Sequence, residues 1–140
     1  MTDQSDLDTR ILEDAADALI YSDRAGTIVR WNRASSALFG FSAQEALGQN
    51  LDLIVPEHLR AAHWKGFETA TSSGAMKLAG RPTLTRALHK SGRKLYIEMT
   101  FALVRDAGGA VQGAVAMARD VTERVERERA AKAASPPPTS

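Results

Sequence analysis

The stretch Asp23-Arg24-Ala25-Gly26-Thr27-Ile28-Val29-Arg30-Trp31-Asn32-Arg33-Ala34 holds a turn, a strand and a helix start, and the rest of the chain is read outward from it. Asp23 to Gly26 is turn chemistry: a short carboxylate that can accept from nearby N–H groups, followed by a glycine free to take positive φ. The flanking runs, Ala18 to Ser22 and Thr27 to Trp31, are the arms of a β-hairpin. Asn32 can accept from a backbone N–H about three residues on, so a helix starts there and runs to Phe39. Upstream, Leu7, Ile11, Leu12 and Ala15 recur at helical spacing among acids, which predicts an amphipathic helix over Asp6 to Asp17 in need of a partner surface.

Downstream, Ser42 with Glu45 three residues later is a capping box, and Gly40 and Gly48 punctuate the short helical pieces around it. Pro56-Glu57 opens a longer helix ending near Ser72-Ser73-Gly74, with an inward stripe of Leu59, Ala62, His63, Gly66, Phe67 and Ala70. The last third is strand-like. Thr83 to His89 runs into a Lys90-Ser91-Gly92 turn, and Leu95, Ile97, Met99, Phe101 and Leu103 then alternate with Tyr96, Glu98, Thr100, Ala102 and Val104. After an Asp106-Ala107-Gly108-Gly109 turn comes a strand from Val111 to Arg119. Thr122 is then expected to cap a charged helix with Glu123–Arg127 and Arg124–Glu128 pairs. The order of two strands, a group of helices and three strands specifies an α+β domain with helices on one face of an antiparallel sheet. The expected divisions are an N-terminal helix over 1–16, a core over 17–121, an exit helix over 122–134 and a disordered tail over 135–140, where Ser135-Pro136-Pro137-Pro138 stops the helix.

Composition narrows the function classes. The 140 residues, 44% hydrophobic and 25% charged, fit one soluble domain, and no apolar run is long enough to span a bilayer, so a cytoplasmic location with no membrane partner is expected. With no cysteine, the chain can form no disulfide, thiolate metal site or cysteinyl adduct. The net charge of +1 gives no drive toward nucleic acid. Residues 1–26 carry seven acids and two bases, whereas residues 81–105 carry six bases and one acid, which predicts complementary faces within the fold or across a dimer. No GxSxG, Walker or HExxH motif or dinucleotide fingerprint occurs, so no catalysis is expected.

Over about residues 10 to 128 the chain resembles a PAS domain. The resemblance rests on the Asp23–Gly26 turn and the Val29-Arg30-Trp31-Asn32-Arg33-Ala34 passage. It continues through Phe39-Gly40-Phe41-Ser42 with Glu45 and Gly48, Pro56-Glu57, the Lys90-Ser91-Gly92 turn, and Arg119-Asp120-Val121-Thr122-Glu123-Arg124. It implies a five-stranded antiparallel sheet that encloses a small ligand or cofactor, and a sensory module that dimerises and signals through its exit helix. Asp120 and Thr122 fall at the family's junction between core and signalling helix. A homodimer and a partner such as a histidine kinase, cyclase or chemoreceptor are the implied assembly.

Within the family, Pro56-Glu57-His58-Leu59-Arg60-Ala61-Ala62-His63 is similar to the stretch that carries the proximal histidine of oxygen-sensing haem PAS domains. The resemblance implies haem b with His63 on the iron. Carried on without gaps, it places Lys77 at a propionate partner and Leu78, Met99 and Phe101 at apolar distal positions. It departs where the distal arginine would fall on Thr83, with Arg81 two residues away, and where a second propionate-contact arginine falls on Thr69. Two readings of His63 stand: a haem ligand, or a core histidine bonded to a backbone carbonyl. His58 and His89 read as surface residues, and Trp31 and Trp64 as packing residues. The alternative functions are a dimerisation adaptor without haem and a module for noncovalent flavin or another small ligand.

Overall fold

The Asp23–Gly26 turn closes as its chemistry requires: Asp23 Oδ1 accepts from the N–H groups of Ala25 and Thr27 at 2.9 and 3.0 Å, and Gly26 takes φ +83°. These features come from a computed structural model that describes residues 4–75 and 81–134. The turn joins β1 (Ala18–Asp23) to β2 (Ile28–Trp31). Three further strands follow late in the chain, β3 (Thr83–Leu88), β4 (Lys94–Arg105) and β5 (Val111–Asp120), and the sheet order is β2-β1-β5-β4-β3 with every pair antiparallel. The fold is therefore the α+β architecture that the order of elements specified. Alternation turns Ala18 and Ile20 of β1, Leu95, Ile97 and Met99 of β4, and Ala118 of β5 into the core.

Between the two halves of the sheet lie α2 (Arg33–Phe39), α3 (Ala43–Ala46), 3₁₀ turns at Leu51–Leu53 and Glu57–Leu59, and α4 (Arg60–Ser73). Both capping signals hold. Asn32 accepts from Ser35 N, and Ser42 and Glu45 form a full capping box. Phe39 and Ala46, wholly buried, and Ile54 join the sheet's inner face in one core. The chain is flanked by α1 (Gln4–Asp14) and α5 (Thr122–Ala134). Among the described residues, no helix is long and apolar enough to cross a membrane.

Several expectations are corrected. The first helix ends at Asp14, not Asp17, because the carbonyls of Leu12 and Asp17 are both taken by Asn32 Nδ2 at 2.9 and 3.1 Å, which turns the chain toward β1. The helix after Pro56 starts as a 3₁₀ turn, and its inward stripe is narrower than its sequence suggests: Ala62 and Gly66 are exposed. His89 is half-buried and closes over Gly40, where a Cβ would lie 2.6 Å from the imidazole. At the exit, Thr122 is not the cap. Asp120 Oδ1 accepts from Thr122 N at 2.9 Å, while Thr122 Oγ1 accepts from Tyr96 N at 2.9 Å and so ties α5 to β4. Of the two expected i,i+4 pairs only Arg124–Glu128 forms, at 3.9 Å.

Among the described residues, the acidic start and the basic strands do not meet within the chain. Asp17 chelates Arg119 at 3.1 Å, and Glu13 and Asp14 lie 3.8 and 3.4 Å from Arg33. On the other side, Lys90 pairs with Glu45 at 2.5 Å, and Arg105 binds the carbonyl of Gly74. Sheet order explains the separation, because α1 packs on α2 beside β1, whereas β3 is the opposite edge.

Candidate ligand cavity

The inner face of the sheet and the segment from Leu51 to Phe67 enclose a mainly apolar cavity of about 180 Å³. Its sheet wall is built by alternation. Thr83, Thr85 and Ala87 of β3 face it, with Ile97, Met99 and Phe101 of β4, and Ala114 and Ala116 of β5. Opposite stand Leu51, Ile54, Val55, Leu59, His63 and Phe67. The small side chains on β5 make the room, and among the described residues the polar residues on the sheet wall are Ser22, Thr83, Thr85 and Arg86.

His63 stands on this wall with its ring stacked on Phe67 at 6.1 Å and edge-on to Trp64 at 4.8 Å. Its Nδ1 is buried and has no hydrogen-bond partner. Among the described residues, His63 Nδ1 therefore does not make the backbone-carbonyl bond of the core-histidine reading. Burial pushes the imidazole below its ordinary value of 6.5, the Asp52 carboxylate pulling weakly the other way, so the ring is neutral at pH 7. This depression has a measurable consequence. Below about pH 6.5 the unfolded chain binds a proton at His63 that the folded chain still refuses, so stability falls as pH drops through that window. A wild type that loses more stability than His63→Gln between pH 7.5 and 5.5, by urea unfolding, would bear this out; equal losses would count against it.

The other proposed site residues distribute unevenly. Met99, 7% exposed, and Phe101 line the cavity side by side with Thr83. Arg81 is exposed and does not line it, and Thr69 is exposed on α4. Lys77 and Leu78 lie outside the described residues, as does the tail over 135–140. His58 is exposed. Trp31 is buried and donates to Ser36 Oγ and the Phe41 carbonyl at 3.1 and 3.0 Å, a packing role. Trp64 does more than pack: its Nε1 donates to Asp52 Oδ1 at 2.8 Å and its ring lies against Gly26, fastening α4 to the hairpin turn. Sequence reasoning missed this latch and the three hydroxyls. The alternating Gly113-Ala114-Val115-Ala116-Met117-Ala118 run was the available signal for the small residues on β5.

A model described as the PAS fold matches residues 7–121. The chain belongs to the PAS family. Among solved PAS domains, one from Colwellia psychrerythraea matches with a TM-score of 0.75 at 24% identity, covering 87% of this chain and all of that one. An RNA-binding light-oxygen-voltage receptor matches at 0.69 and 28% identity, over 90% of this chain and 35% of that one. Sequence relatives include an uncharacterized protein of Azorhizobium caulinodans, 30% identical over 121 residues, or 86% of this chain. The oxygen sensor protein DosP of Escherichia coli is 24% identical over 103 residues, or 73% of this chain. The sensor protein FixL of Bradyrhizobium diazoefficiens is 42% identical over 53 residues, or 38%. This PAS domain spans only 16%, 13% and 10% of the lengths of those three relatives. It is thus a PAS sensory domain related to sensor proteins.

Proposed function

We propose that this PAS domain is a haem b sensor that holds the macrocycle between α4 and the sheet, with His63 as the single protein ligand, and reports to a signalling partner through α5. One observation carries the reading: a neutral imidazole on the wall of an apolar cavity, with a buried nitrogen that nothing among the described residues satisfies. Ferrous haem needs one nitrogen donor and a dry slot. Among the described residues no three His, Asp or Glu side chains gather, so a metal here would rest on one imidazole and its own macrocycle.

The donor chemistry fits haem, and the volume sets a condition. About 180 Å³ suits a single aromatic ring and falls short of the roughly 300 Å³ and above of larger ligand sites, so a macrocycle enters only with α4 displaced outward. That helix is suited to move. Of its 14 residues only Thr71 is buried, and polar ties hold it, Trp64 to Asp52 and Gly74 to Arg105. When bound, haem supplies a redox-active iron open to small gases. The chain's part is to hold the His63 ring neutral and oriented by Phe67 and Trp64, to exclude water with Met99, Phe101 and Leu59, and to offer hydroxyls from Thr83 and Thr85. Lys77 and Arg81 are proposed to approach the propionates from the segment before β3, and Leu78 to join the distal wall.

Titrating the protein with haemin tests the reading. A Soret band shifted from that of free haemin, saturating at one equivalent, is expected; a colourless protein after gel filtration would reject it. The cavity volume favours a second reading, a small neutral ligand in place of haem, and a yellow preparation would instead point to flavin. The domain acts as a sensor and not as a catalyst, and its partner is a kinase, cyclase or chemoreceptor module on this or another chain.

A homodimer is part of the proposal and rests on α1. This helix buries none of its residues in the chain, with Leu7 and Ile11 47% and 61% exposed. Val125 of α5 is buried within the chain and so is spent on the fold. Sedimentation is expected to show a dimer that dissociates on deletion of residues 1–16. A monomer at high concentration, unchanged by the deletion, would dispose of the idea.

A further inference from the structure

The strand that walls the cavity and the helix that leaves the domain share one aromatic ring. On β3, Thr83, Thr85, Arg86 and Ala87 all border the cavity, and alternation leaves Arg86 exposed toward the sheet's other face. There Arg86 meets its direct cross-strand partner, Tyr96 of β4, with the guanidinium carbon 5.6 Å from the ring centroid. Arg129 of α5 lies 4.9 Å from the same centroid. The Tyr96 backbone is engaged as well, its carbonyl accepting from Val121 N and its N–H donating to Thr122 Oγ1, both at 2.9 Å. One residue along the same face, Glu98 pairs with Arg124 at 3.7 Å. Among the described residues, no hydrogen bond or ion pair joins the Arg86 side chain to α5.

We infer that Tyr96 is the positioning residue through which the cavity wall and the exit helix sense each other, in an Arg86–Tyr96–Arg129 stack. A guanidinium over a ring is held by the ring's quadrupole and gives way in angle and distance without breaking a covalent or backbone bond. β3 is an edge strand, paired on one side only, so it is the sheet element freest to shift when the cavity fills. A shift of β3 carries Arg86 across the Tyr96 ring, and Arg129 responds to the same ring from α5. This inference rests on reading the cavity as the input and α5 as the output, but the stack itself needs no ligand to be tested.

Hydrogen exchange of residues 122–134 in the ligand-free chain reads it out. Arg86→Ala is expected to speed exchange of α5 by about two- to five-fold, although Arg86 does not touch the helix through any polar bond. The same change made in Tyr96→Leu is expected to add nothing, and Tyr96→Phe, which keeps the ring, should restore the wild-type response. Thermal melting of each variant separates these local effects from loss of the fold. Wild-type exchange rates in Arg86→Ala, or an equal effect of Arg86→Ala in both backgrounds, would overturn the proposal. Repeating the measurement with haemin addresses the cofactor separately: a chain that takes up no haemin but shows the ligand-free coupling rejects haem and keeps the stack.

Discussion

Replacing His63 by alanine is expected to abolish haem uptake, whereas His58→Ala and His89→Ala are expected to leave the Soret titration of the wild type unchanged. The difference is positional. His63 lines the cavity with a buried, unpartnered nitrogen, His58 is exposed before α4, and His89 is occupied elsewhere, its Nδ1 2.9 Å from Ser91 Oγ and its ring against Gly40. In this reading the His63 imidazole would be the one protein donor to the iron, so its loss would remove binding and not merely weaken it. The fold should survive. Losing a half-buried imidazole whose Nδ1 has no partner among the described residues leaves a cavity, a cost of about 1–2 kcal/mol. Soret absorbance and thermal melting on the same samples separate the two effects, and an unchanged spectrum in His63→Ala would end the proximal-ligand assignment.

Asn32→Ala is expected to have the largest effect on stability, about 3–5 kcal/mol, seen as a fall in melting temperature of roughly 10 °C or more. An exposed helix cap is worth about 1 kcal/mol, but Asn32 is only 1% exposed and serves three elements. Its Oδ1 accepts from Ser35 N at 3.0 Å, the capping bond, and from Leu19 N on β1 at 2.9 Å. Its Nδ2 donates to the carbonyls of Leu12 and Asp17. Ser35 Oγ, with one proton to give, lies 2.9 Å from Asn32 Oδ1 and 3.0 Å from the Leu19 carbonyl. Alanine would leave backbone groups of α1, β1 and α2 without partners in or near the core, each costing on the order of 1 kcal/mol or more. A melting temperature within about 3 °C of wild type would show that water replaces these bonds and that the network is not buried in solution.

Local chemistry made much of this legible in the sequence. The Asp23–Gly26 turn, the Asn32 cap and the Ser42–Glu45 capping box depend on groups within four residues of each other, so their residue types alone specify them. The period-two alternation of β4 placed Met99 and Phe101 on the inner face for the same reason, since pleating decides a strand's faces before any partner arrives. Errors arose where a face depended on what lay across from it. Ala62 and Gly66 share the helical stripe with His63 yet are exposed, while Trp64, outside that stripe, is the side chain that meets the hairpin turn.

The sequence by itself therefore determined the family, the order of elements, the caps and turns, and that the inner face of β4 would be apolar. Tertiary structure alone decided three other things: that Asn32 joins α1 and β1 as well as capping α2, that Thr122 binds β4 in place of capping α5, and that the histidine of an apolar stripe keeps an unsatisfied nitrogen at a cavity wall. The physical reason is common to all three. Each turns on a hydrogen bond made or missed between groups distant in sequence, up to 26 residues apart at Thr122 and Tyr96, and side-chain polar groups choose such partners only once packing has removed the water that would otherwise serve any of them.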